Sequence, residues 1–421
     1  MNGNLNFLKE NRIEKLDSSQ KNSEDLSEDL IDIKISCSVL SFILVLLFQL
    51  TVRILSNNRE GQISDLIKVL AILSQGFIYL YSLKYVLKRN GFLFIFLYLI
   101  GIIIFLINFL FYPKNNLYIV DILFPFFGMV LPTFLYTYSI KNYKNFYDIM
   151  EKIANLSVIF ILILSIGLIK GKFHSEEYSM GLSYYLLFPL LIYTKNFLQK
   201  INLLDLIKVI LDLMLIILLG SRGAIVCFVV YSFLEILRLK DLKIRQIALY
   251  LLILLAMIIF ALNFREILMI IDNLTYKILG MTSRTIELLL YDIGHDSGRL
   301  IIYEIMKHSI NNHPFLGIGI AGDRMLMENP GLYAHNIFLE IYVEFGLILG
   351  SFILLFILYL VFSSLLTKES KKYSIALLWI CLGLLPLFFS GSYLTSLEFW
   401  IMLAVLLRLR KKDSYIDYEG E

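Results

Sequence analysis

The sequence predicts an all-α integral membrane protein, and three observations support this prediction. Hydrophobic residues make up 58% of the 421 residues, whereas charged residues make up only 17%. Mean hydropathy is +0.75, and a soluble fold of this length could not bury so much apolar surface. The apolar residues also occur in long segments, as expected for helices that cross a bilayer. We therefore expect about 12 transmembrane helices and one large external loop that contains short helices.

Each predicted span is an apolar segment that can cross a bilayer as a helix, with some tilt or local thinning for the shorter ones. The spans lie near residues 35–52, 64–83, 92–111, 117–138, 153–169, 180–194, 204–219, 223–237, 246–263, 346–364, 373–390 and 392–407. This pattern divides the chain into a cytoplasmic N-terminal tail (1–34), spans 1 to 9 (35–263), a large external loop (264–345), spans 10 to 12 (346–412) and a cytoplasmic C-terminal tail (413–421). The N-terminal tail is polar and lacks the apolar stretch of a signal peptide.

The distribution of basic residues predicts the orientation of the spans. With a cytoplasmic N-terminus, the loops on the inner side hold nineteen lysines and arginines, whereas the short loops on the outer side hold six. Cytoplasmic loops of membrane proteins carry an excess of basic residues. We therefore expect a multi-pass protein of the cell inner (cytoplasmic) membrane, with both termini in the cytoplasm and the external loop on the outer face.

Charge and cysteine content exclude several classes of protein. The formal net charge of +3 is too small to indicate a nucleic-acid-binding protein. Cys37, Cys227 and Cys381 all fall inside apolar spans, without the spacing of a disulfide framework or a metal site. No Gly-rich phosphate-binding loop follows a strand. Because ATP and nucleotide sugars are not available at the outer face, an enzyme there must use a substrate that is already activated, such as a lipid-linked diphosphate. No cofactor is expected.

A short motif, Gly220-Ser221-Arg222-Gly223-Ala224, joins spans 7 and 8 and places Arg222 at the outer membrane boundary. One interpretation is a tight turn whose arginine reaches the lipid headgroups. The other is an anion site, since the flanking glycines allow close backbone approach and a guanidinium offers two parallel donors to a phosphate. The free-energy cost of an arginine inside a membrane favours the anion site.

Two helices are predicted inside the external loop. Apolar residues recur with helical spacing over 265–279, which is typical of a helix lying on the membrane surface. A second helix is expected over 298–311, ending ahead of Pro314. Arg299 falls in its first turn, where a cation is slightly unfavourable but where a helix N-terminus and a guanidinium together suit a phosphate. A surface arginine on a solvated helix is the alternative.

His335 lies where the polar loop gives way to apolar residues from Ile337 onward, so it begins a helix that dips toward the bilayer. A single histidine is most often a packed or solvated bystander, but this junction of an external loop and a membrane helix favours a functional role. Glu340 and Glu344 follow four residues apart on one helical face. They are interpreted either as a pair of exposed carboxylates or as partners that orient an acceptor sugar.

Four ionisable residues fall at unusual depth inside the predicted spans, namely Asp121, Lys208, Asp212 and Glu398. Lys208 and Asp212 are four residues apart and are predicted to pair on one helical face. Asp121 lies near the outer end of its span, where it is expected to line a donor cavity.

These motifs together resemble a known family. Ser221-Arg222-Gly223, Ser297-Gly298-Arg299, residues 313–319 (HPFLGIG) and His335-Asn336, with Gly346 and Gly350 downstream, are similar to the O-antigen ligase and polymerase family. These are bacterial membrane glycosyltransferases, with a GT-C-like fold, that act on undecaprenyl-diphosphate-linked glycans. The resemblance covers residues 220–350, together with the span count and the large external loop.

The resemblance implies that Arg222 and Arg299 hold the donor diphosphate and that His335 acts at the acceptor hydroxyl. Chemistry supports these roles, because breaking a glycosyl–diphosphate bond develops negative charge on the leaving phosphate. Histidine is a suitable general base near neutral pH, and attack opposite the leaving group would invert the anomeric centre.

Four further residues are candidates for binding substrate. Arg284 and Arg324 are suited to a charged sugar or to the diphosphate, Asn336 directly follows the predicted base, and Glu340 is a carboxylate that could orient an acceptor sugar. No carboxylate motif for a divalent metal is recognised on the outer face, so no metal site is predicted and metal-independent catalysis is expected.

The predicted function is a polymerase of lipid-linked oligosaccharide repeat units for a surface polysaccharide, such as O-antigen, capsule or exopolysaccharide. It would transfer glycan from undecaprenyl diphosphate to a sugar hydroxyl on the outer face of the membrane. Expected partners are this donor, an acceptor that is a lipid-linked repeat unit or lipid A-core, the lipid bilayer and a chain-length regulator.

One alternative is a ligase that transfers finished polymer to lipid A-core in lipopolysaccharide assembly. The alternative of another class is a transporter or flippase, but transporters often show two comparable halves, whereas this loop divides the spans nine to three.

Overall fold

The computed structural model describes residues 27–49, 51–52, 62–169, 180–219, 221–238, 264–279, 290, 299–329 and 332–411. Across these ranges the regular elements are all helical, which confirms the predicted fold class. The α-helices are α1 (Ser27–Gln49), α2 (Gln62–Phe111), α3 (Asn116–Phe124), α4 (Leu131–Tyr138), α5 (Tyr143–Ile169), α6 (Met180–Lys200), α7 (Leu203–Leu218), α8 (Arg222–Arg238), α9 (Phe264–Leu279), α10 (Arg299–Asn312), α11 (Gly322–Leu326), α12 (Ile337–Leu365), α13 (Ser370–Gly383) and α14 (Leu397–Arg408). Two 3₁₀ helices, Pro113–Asn115 and Leu385–Phe388, and a π-helix, Pro125–Val130, lie between them.

Several of these helices are long and apolar enough to cross a membrane. Within the described ranges, 6 stretches meet both conditions. They are Ser27–Gln49, Val69–Phe111, Pro113–Tyr138, Tyr143–Ile166, Ile337–Leu365 and Ser370–Phe388. An all-α membrane protein is thereby confirmed. The number of about twelve spans and the division into domains stay predictions, and the predicted span at 246–263 lies outside the described residues.

Helix α2 contains a break close to its middle. Asn90 leaves the helical region of backbone conformation, with φ of −140° and ψ of 33°. Both residues at the break bond the same partner at the end of α4. Arg89 donates to the carbonyl of Ser139 at 2.8 Å, and Nδ2 of Asn90 donates to Oγ of Ser139, also at 2.8 Å.

The two halves of α2 run antiparallel from this break. Before it, the hydroxyl of Tyr79 hydrogen-bonds Thr133 at 2.5 Å. After it, the hydroxyl of Tyr98 donates to the carbonyl of Phe127 at 2.9 Å. In both directions away from the break, α2 therefore contacts residues that precede the end of α4 in the sequence. This pattern requires the chain to reverse its direction at the break. This reversal is compatible with the two spans predicted over this stretch, and their number stays a prediction.

Basic residues gather at the end of the bundle where α2 reverses. Arg89 forms ion pairs with Glu28, at 2.6 Å, and with the buried Asp32 of α1. Arg408, the last residue of α14, donates through Nε to the carbonyl of Ile140 at 3.0 Å. Arginines from α2 and α14 thus lie at one end of the bundle, whereas Ile318 and Ile320 of the external loop contact the opposite end of α2.

Helices α8 and α13 are held side by side, and their contacts place the start of α8. Arg238, the last residue of α8, donates to the carbonyl of Thr367, just ahead of α13. One turn earlier, Oγ of Ser374 donates to the buried Glu235 at 2.5 Å. The first residue of α8, Arg222, therefore lies toward the opposite end of α13, where the 3₁₀ helix Leu385–Phe388 follows.

Both helices predicted within the external loop are present. Helix α9 matches the prediction over 265–279, and α10 matches the prediction over 298–311, ending just before His313 and Pro314. The apolar face of α10 forms a small separate core with the first turns of α12 and with the loop between them, through Met306, Ile318 and Val343. This core joins the helix that carries Arg299 to the helix that follows His335.

The predicted pairing of Lys208 with Asp212 is wrong. Lys208 instead donates to Oδ1 of Asn155 at 2.9 Å and lies 3.5 Å from Asp205. Side chains on a helix lean toward its N-terminus. This lysine therefore reaches the previous turn of α7 and the neighbouring helix α5 rather than the following turn of α7. Asp212 is fully buried, and neither carboxylate oxygen has a hydrogen-bond partner among the residues described. Asp121 is exposed, and its predicted role at a donor cavity stays a prediction.

Candidate active site

Helix α12 is broken near its start, and the break holds the Gly-rich loop that follows α10. Gly346 has φ of 71° and ψ of 178°, a conformation reached almost only by glycine. A Cβ at this position would also collide with the carbonyl of Phe315. The opened helix backbone pairs with the loop instead, and Ile318 donates to the carbonyl of Val343 at 2.8 Å. The loop is thereby fixed against α12 at the level where the helix begins its apolar run.

Two asparagines, one at the C-terminal end of α2 and one in the following 3₁₀ helix, hold the same loop from the other side. Nδ2 of Asn115 donates to the carbonyls of Ile318, at 2.8 Å, and of Ile320, at 3.0 Å. Oδ1 of Asn108 accepts the backbone N–H of Ile320 at 2.7 Å. A Cβ at Gly319 would lie only 2.5 Å from that oxygen, so the close approach requires glycine. The external loop is therefore anchored to the N-terminal half of the bundle.

An acidic cluster, formed by Asp323, Glu340 and Glu344, lies buried beneath the loop. One oxygen from each carboxylate falls within 4.8 Å of the others. Arg324 supplies the positive charge, with its guanidinium 3.2 Å from Asp323 and 3.8 Å from Glu340. Of the two interpretations of Glu340 and Glu344, the exposed pair is wrong, since both residues are at most 1% exposed, and a role in orienting an acceptor sugar stays a prediction. The loop folds over the first turns of α12 and covers them.

The acidic cluster binds the backbone of three separate segments. The bonds run from the N–H of Ala334 to Asp323 (3.0 Å), from that of Ala321 to Glu344 (2.8 Å) and from that of Tyr393 to Glu340 (3.3 Å). Carboxylates at this spacing are able to ligate a metal ion. Because a buried arginine and backbone N–H groups already occupy their oxygens, we interpret the cluster as a network that fixes the surrounding loops.

His335 follows this network directly and has an unusual backbone. Its φ is 51°, in the left-handed region where histidine is enriched among non-glycine residues. The ring lies against that of Tyr333, with centroids 4.0 Å apart. Nδ1 is buried and has no hydrogen-bond partner in the described part of the chain. Burial of the ring, and then the positive charge of Arg299, lower the pKa of His335 to about 4. The imidazole is therefore neutral at pH 7, with a lone pair able to accept a proton.

Both arginines predicted to bind a diphosphate stand at helix N-termini. Arg299 is the first residue of α10, and its charge acts on His335. Arg222 is the first residue of α8. Each residue is partly exposed. The unpaired N–H groups of a first helical turn and the helix dipole favour an anion at such a position, and a guanidinium adds charge and parallel donors.

The start of α8 lies beside the chain that links the last two helices, residues 389–396, here called the 389–396 loop. A Cβ at Gly223 would lie 3.4 Å from Cβ of Phe389, and it would collide with the hydroxyl of Tyr184 on α6. A side chain at position 223 would require Tyr184 to move, so glycine suits the close packing of α8 on α6 and on the loop. Arg222 is the neighbour of this packed glycine.

The 389–396 loop also contacts the residues next to His335. The N–H of Gly391 donates to the hydroxyl of Tyr333 at 3.1 Å, and the ring of Tyr333 packs on His335. Contacts thus lead from Gly223, through the 389–396 loop and Tyr333, to His335, and the charge of Arg299 acts on the His335 ring. A shared site for Arg222, Arg299 and His335 stays a prediction.

A cavity of about 380 Å³ opens between α6, the 389–396 loop and Tyr333. Its polar lining consists of Tyr184, Tyr185, Tyr333, Ser390, Ser392, Thr395, Ser396 and Glu398. A volume near the lower end of the roughly 300–1,000 Å³ range of ligand pockets suits a small polar group such as a sugar ring. The cavity is lined by Tyr184, which is close to Gly223, and by Tyr333, which packs on His335.

Three of the other four predicted substrate-binding residues have protein partners. Oδ1 of Asn336 caps α12 by accepting the N–H of Phe338 at 3.0 Å. Arg324 and Glu340 are buried in the acidic cluster. Arg284 lies outside the described residues. Contact of any of these four with substrate stays a prediction.

Sequence reasoning missed the 389–396 loop and Tyr333. Spans 11 and 12 are predicted to be separated by almost nothing, whereas eight residues of loop separate their helices. The polar residues Ser390, Ser392, Thr395 and Ser396 were a usable signal, since such a run is unusual between two apolar segments. Tyr333 carries no comparable signal, because an aromatic residue next to a histidine is common in any loop.

Comparison with known proteins agrees with this geometry. A family model described as O-antigen ligase matches residues 207–354, a region that contains Arg222, Arg299, His335 and the acidic cluster. No match to the chain is found among the curated proteins or among the solved structures. The predicted resemblance is confirmed by the family match: residues 207–354 of this multi-pass membrane protein are similar to the O-antigen ligase family.

Proposed function

We propose that this protein transfers a lipid-linked glycan to a sugar hydroxyl, as a polymerase of oligosaccharide repeat units for a surface polysaccharide. The observation that carries the proposal is the pairing of a cation at a helix N-terminus, Arg299, with a half-buried neutral imidazole, His335, whose Nδ1 atom is buried. The first suits a diphosphate leaving group and the second suits a hydroxyl nucleophile. The family match covers both residues and supports glycan transfer of this general kind.

In the proposed reaction, the acceptor oxygen bonds to the anomeric carbon of the donor glycan while the bond from that carbon to the diphosphate oxygen breaks. The electron pair passes to the diphosphate, whose growing charge is stabilised by Arg222 and Arg299. His335 takes the proton from the attacking hydroxyl. Attack opposite the leaving group inverts the anomeric centre, and the charges of the two arginines replace those of a metal ion.

Donor binding at Arg299 also raises the pKa of His335. The charge of Arg299 contributes to the low pKa of His335 in the unliganded protein. A diphosphate bound at Arg299 offsets that charge, so the pKa of His335 rises toward the working pH when the donor is present. The imidazole thereby becomes a stronger base only when there is a glycan to transfer.

The donor is proposed to be an undecaprenyl-diphosphate-linked glycan bound at the outer face of the cytoplasmic membrane. Arg89 and Arg408 lie at the end of the bundle away from the site, and the positive-inside rule assigns that end to the cytoplasm. The site then faces the outer side, where a lipid-linked diphosphate is an activated donor that needs no nucleotide.

A ligase is the second candidate, because the matching family model carries that description. Polymerase and ligase share the donor and the chemistry and differ in the acceptor. The test is an assay of purified protein with lipid-linked repeat units, with and without lipid A-core. A ladder of longer lipid-linked chains without lipid A-core is expected for a polymerase. Product on lipid A-core alone would identify a ligase, and absence of glycan transfer in both assays would contradict the proposal.

A further inference from the structure

We propose that the cavity beside the 389–396 loop binds the sugar ring that bears the acceptor hydroxyl, and that it selects neutral sugars over uronic acids. The inference rests on the proposed glycan transfer and adds the chemical class of the acceptor. It is carried by three properties of the cavity: its lining, its charge and its position relative to His335.

The lining matches the surface of a pyranose. Tyr184 and Tyr185 from α6 and Tyr333 from the external loop supply aromatic rings, which pack on the C–H faces of a sugar. Ser390 and Thr395 supply hydroxyl groups, which donate to and accept from sugar hydroxyls. Because the hydroxyl oxygen of Tyr333 already accepts the N–H of Gly391, its own hydrogen can be donated to a ligand. Apolar side chains such as Leu46 and Leu387 line the rest of the cavity and suit the C–H faces of a sugar, whereas an apolar lipid chain would leave the polar groups unsatisfied.

The charge of the cavity excludes an anionic ligand. Among the described residues that line it, none is Lys, Arg or His, and Glu398 is the one carboxylate. A diphosphate or a uronic acid would meet this carboxylate without a balancing cation, and like-charge contact across an interface is costly. Oε2 of Glu398 accepts a hydrogen bond from Ser396 at 3.2 Å, which leaves further lone pairs of the carboxylate for a sugar hydroxyl.

The position of the cavity assigns it to the acceptor. Tyr333 lines the cavity and packs on His335, so a sugar held there lies next to the base that takes the hydroxyl proton. The arginines that suit the donor diphosphate lie outside the lining. A donor sugar and an acceptor sugar share the same chemistry, and the experiment below separates them.

Occlusion of the cavity is the first test. Thr395 is exposed and lines the cavity, so Thr395→Trp can fill its opening without replacing a buried residue, and Thr395→Ser is the matched control. We expect Thr395→Trp to raise the KM for a lipid-linked acceptor at least tenfold, while slow hydrolysis of the donor by water stays at the wild-type rate. An unchanged KM would overturn the inference. Donor hydrolysis that falls together with transfer would also overturn it, because the cavity would then hold the donor.

A second measurement uses the wild-type protein and does not depend on the folding of any variant. A panel of methyl pyranosides, each neutral sugar paired with its uronic acid, is tested for inhibition of transfer. We expect at least one neutral glycoside to compete with the acceptor and its uronic acid to be at least tenfold weaker. Glu398→Gln should reduce that ratio severalfold. Equal inhibition by both members of every pair, or inhibition by none, would contradict the inference, whereas a wild-type protein without any transfer activity would contradict the proposed function instead.

Discussion

The backbone N–H of Ala334 donates to Oδ2 of Asp323 at 3.0 Å, and Ala334 is the residue immediately before His335. A fully buried carboxylate in the acidic cluster therefore fixes the backbone that carries the proposed base. The same cluster binds the 389–396 loop through Glu340. The acidic cluster thus positions both His335 and the 389–396 loop. Disruption of this cluster should therefore lower both the stability of the fold and the rate of glycan transfer.

Removal of the cation from the acidic cluster should destabilise the protein strongly. Arg324→Met leaves three buried carboxylates without their positive partner, and breaking a buried ion pair in this way costs about 3–5 kcal/mol. We expect a clearly lower melting temperature in detergent or nanodiscs. Arg410→Met is the matched control, because Arg410 is exposed, and it should change the melting temperature little. Equal melting temperatures for the two variants would show that the cluster does not stabilise the fold.

The break in α12 should not tolerate a side chain. Gly346→Ala places a Cβ against the carbonyl of Phe315 and imposes a backbone conformation that costs on the order of 1–3 kcal/mol for other residues. We expect loss of stability and loss of transfer activity. Gly76→Ala is the control, since a Cβ there meets no other atom within 4 Å and alanine favours a helix more than glycine does. A Gly346→Ala variant as stable as Gly76→Ala would refute the packing of the Gly-rich loop into this break.

The pKa of His335 should respond to Arg299. The positive charge of Arg299 disfavours the imidazolium, so Arg299→Gln should raise the pKa of His335 from about 4 toward the ordinary histidine value. The measurement is an NMR titration of the histidine rings in the purified protein, with the His335 signal assigned from a His335→Asn variant. Lys307→Gln, which removes an exposed cation further along α10, should leave the midpoint unchanged. A midpoint that stays near 4 in Arg299→Gln would show that the arginine does not act on this ring.

The orientation in the membrane can be measured with single cysteines in a Cys37→Ser background, since Cys227 and Cys381 are buried. Leu332→Cys lies on the exposed part of the external loop and should react with an impermeant thiol reagent added to intact cells. Lys371→Cys, at the start of α13, should react only after the membrane is permeabilised. The opposite pattern would place the proposed site on the cytoplasmic side and would rule out a lipid-linked donor at the outer face.

Patterns that depend on short-range physics were predictable from the sequence. The helical spacing of apolar residues located α9 and α10 to within one residue at each end, and Pro314 correctly marked the end of α10. Arg299 was predicted to hold the donor diphosphate and His335 to act at the acceptor hydroxyl, and both roles stay predictions. These features follow from periodicity, from proline sterics and from the order of motifs along one face.

Features that depend on tertiary packing were not predictable. Nothing in residues 340–344 indicates burial, because Glu340 and Glu344 are covered by a loop whose path depends on Asn108 and Asn115, more than two hundred residues earlier. The acidic cluster joins residues from two separate segments, so no local carboxylate motif exists. The error at Lys208 has a simpler cause, since spacing alone does not state which way a side chain leans.

Glycan transfer by purified His335→Asn protein tests the proposed mechanism most directly. Asparagine adopts the left-handed backbone conformation of this residue readily but cannot act as a general base at neutral pH. With lipid-linked repeat units as donor and acceptor, we expect transfer to fall by about 10²–10⁴-fold while donor binding and melting temperature stay close to those of the wild type. Transfer at the wild-type rate by a folded His335→Asn variant would contradict the role of His335 as the base.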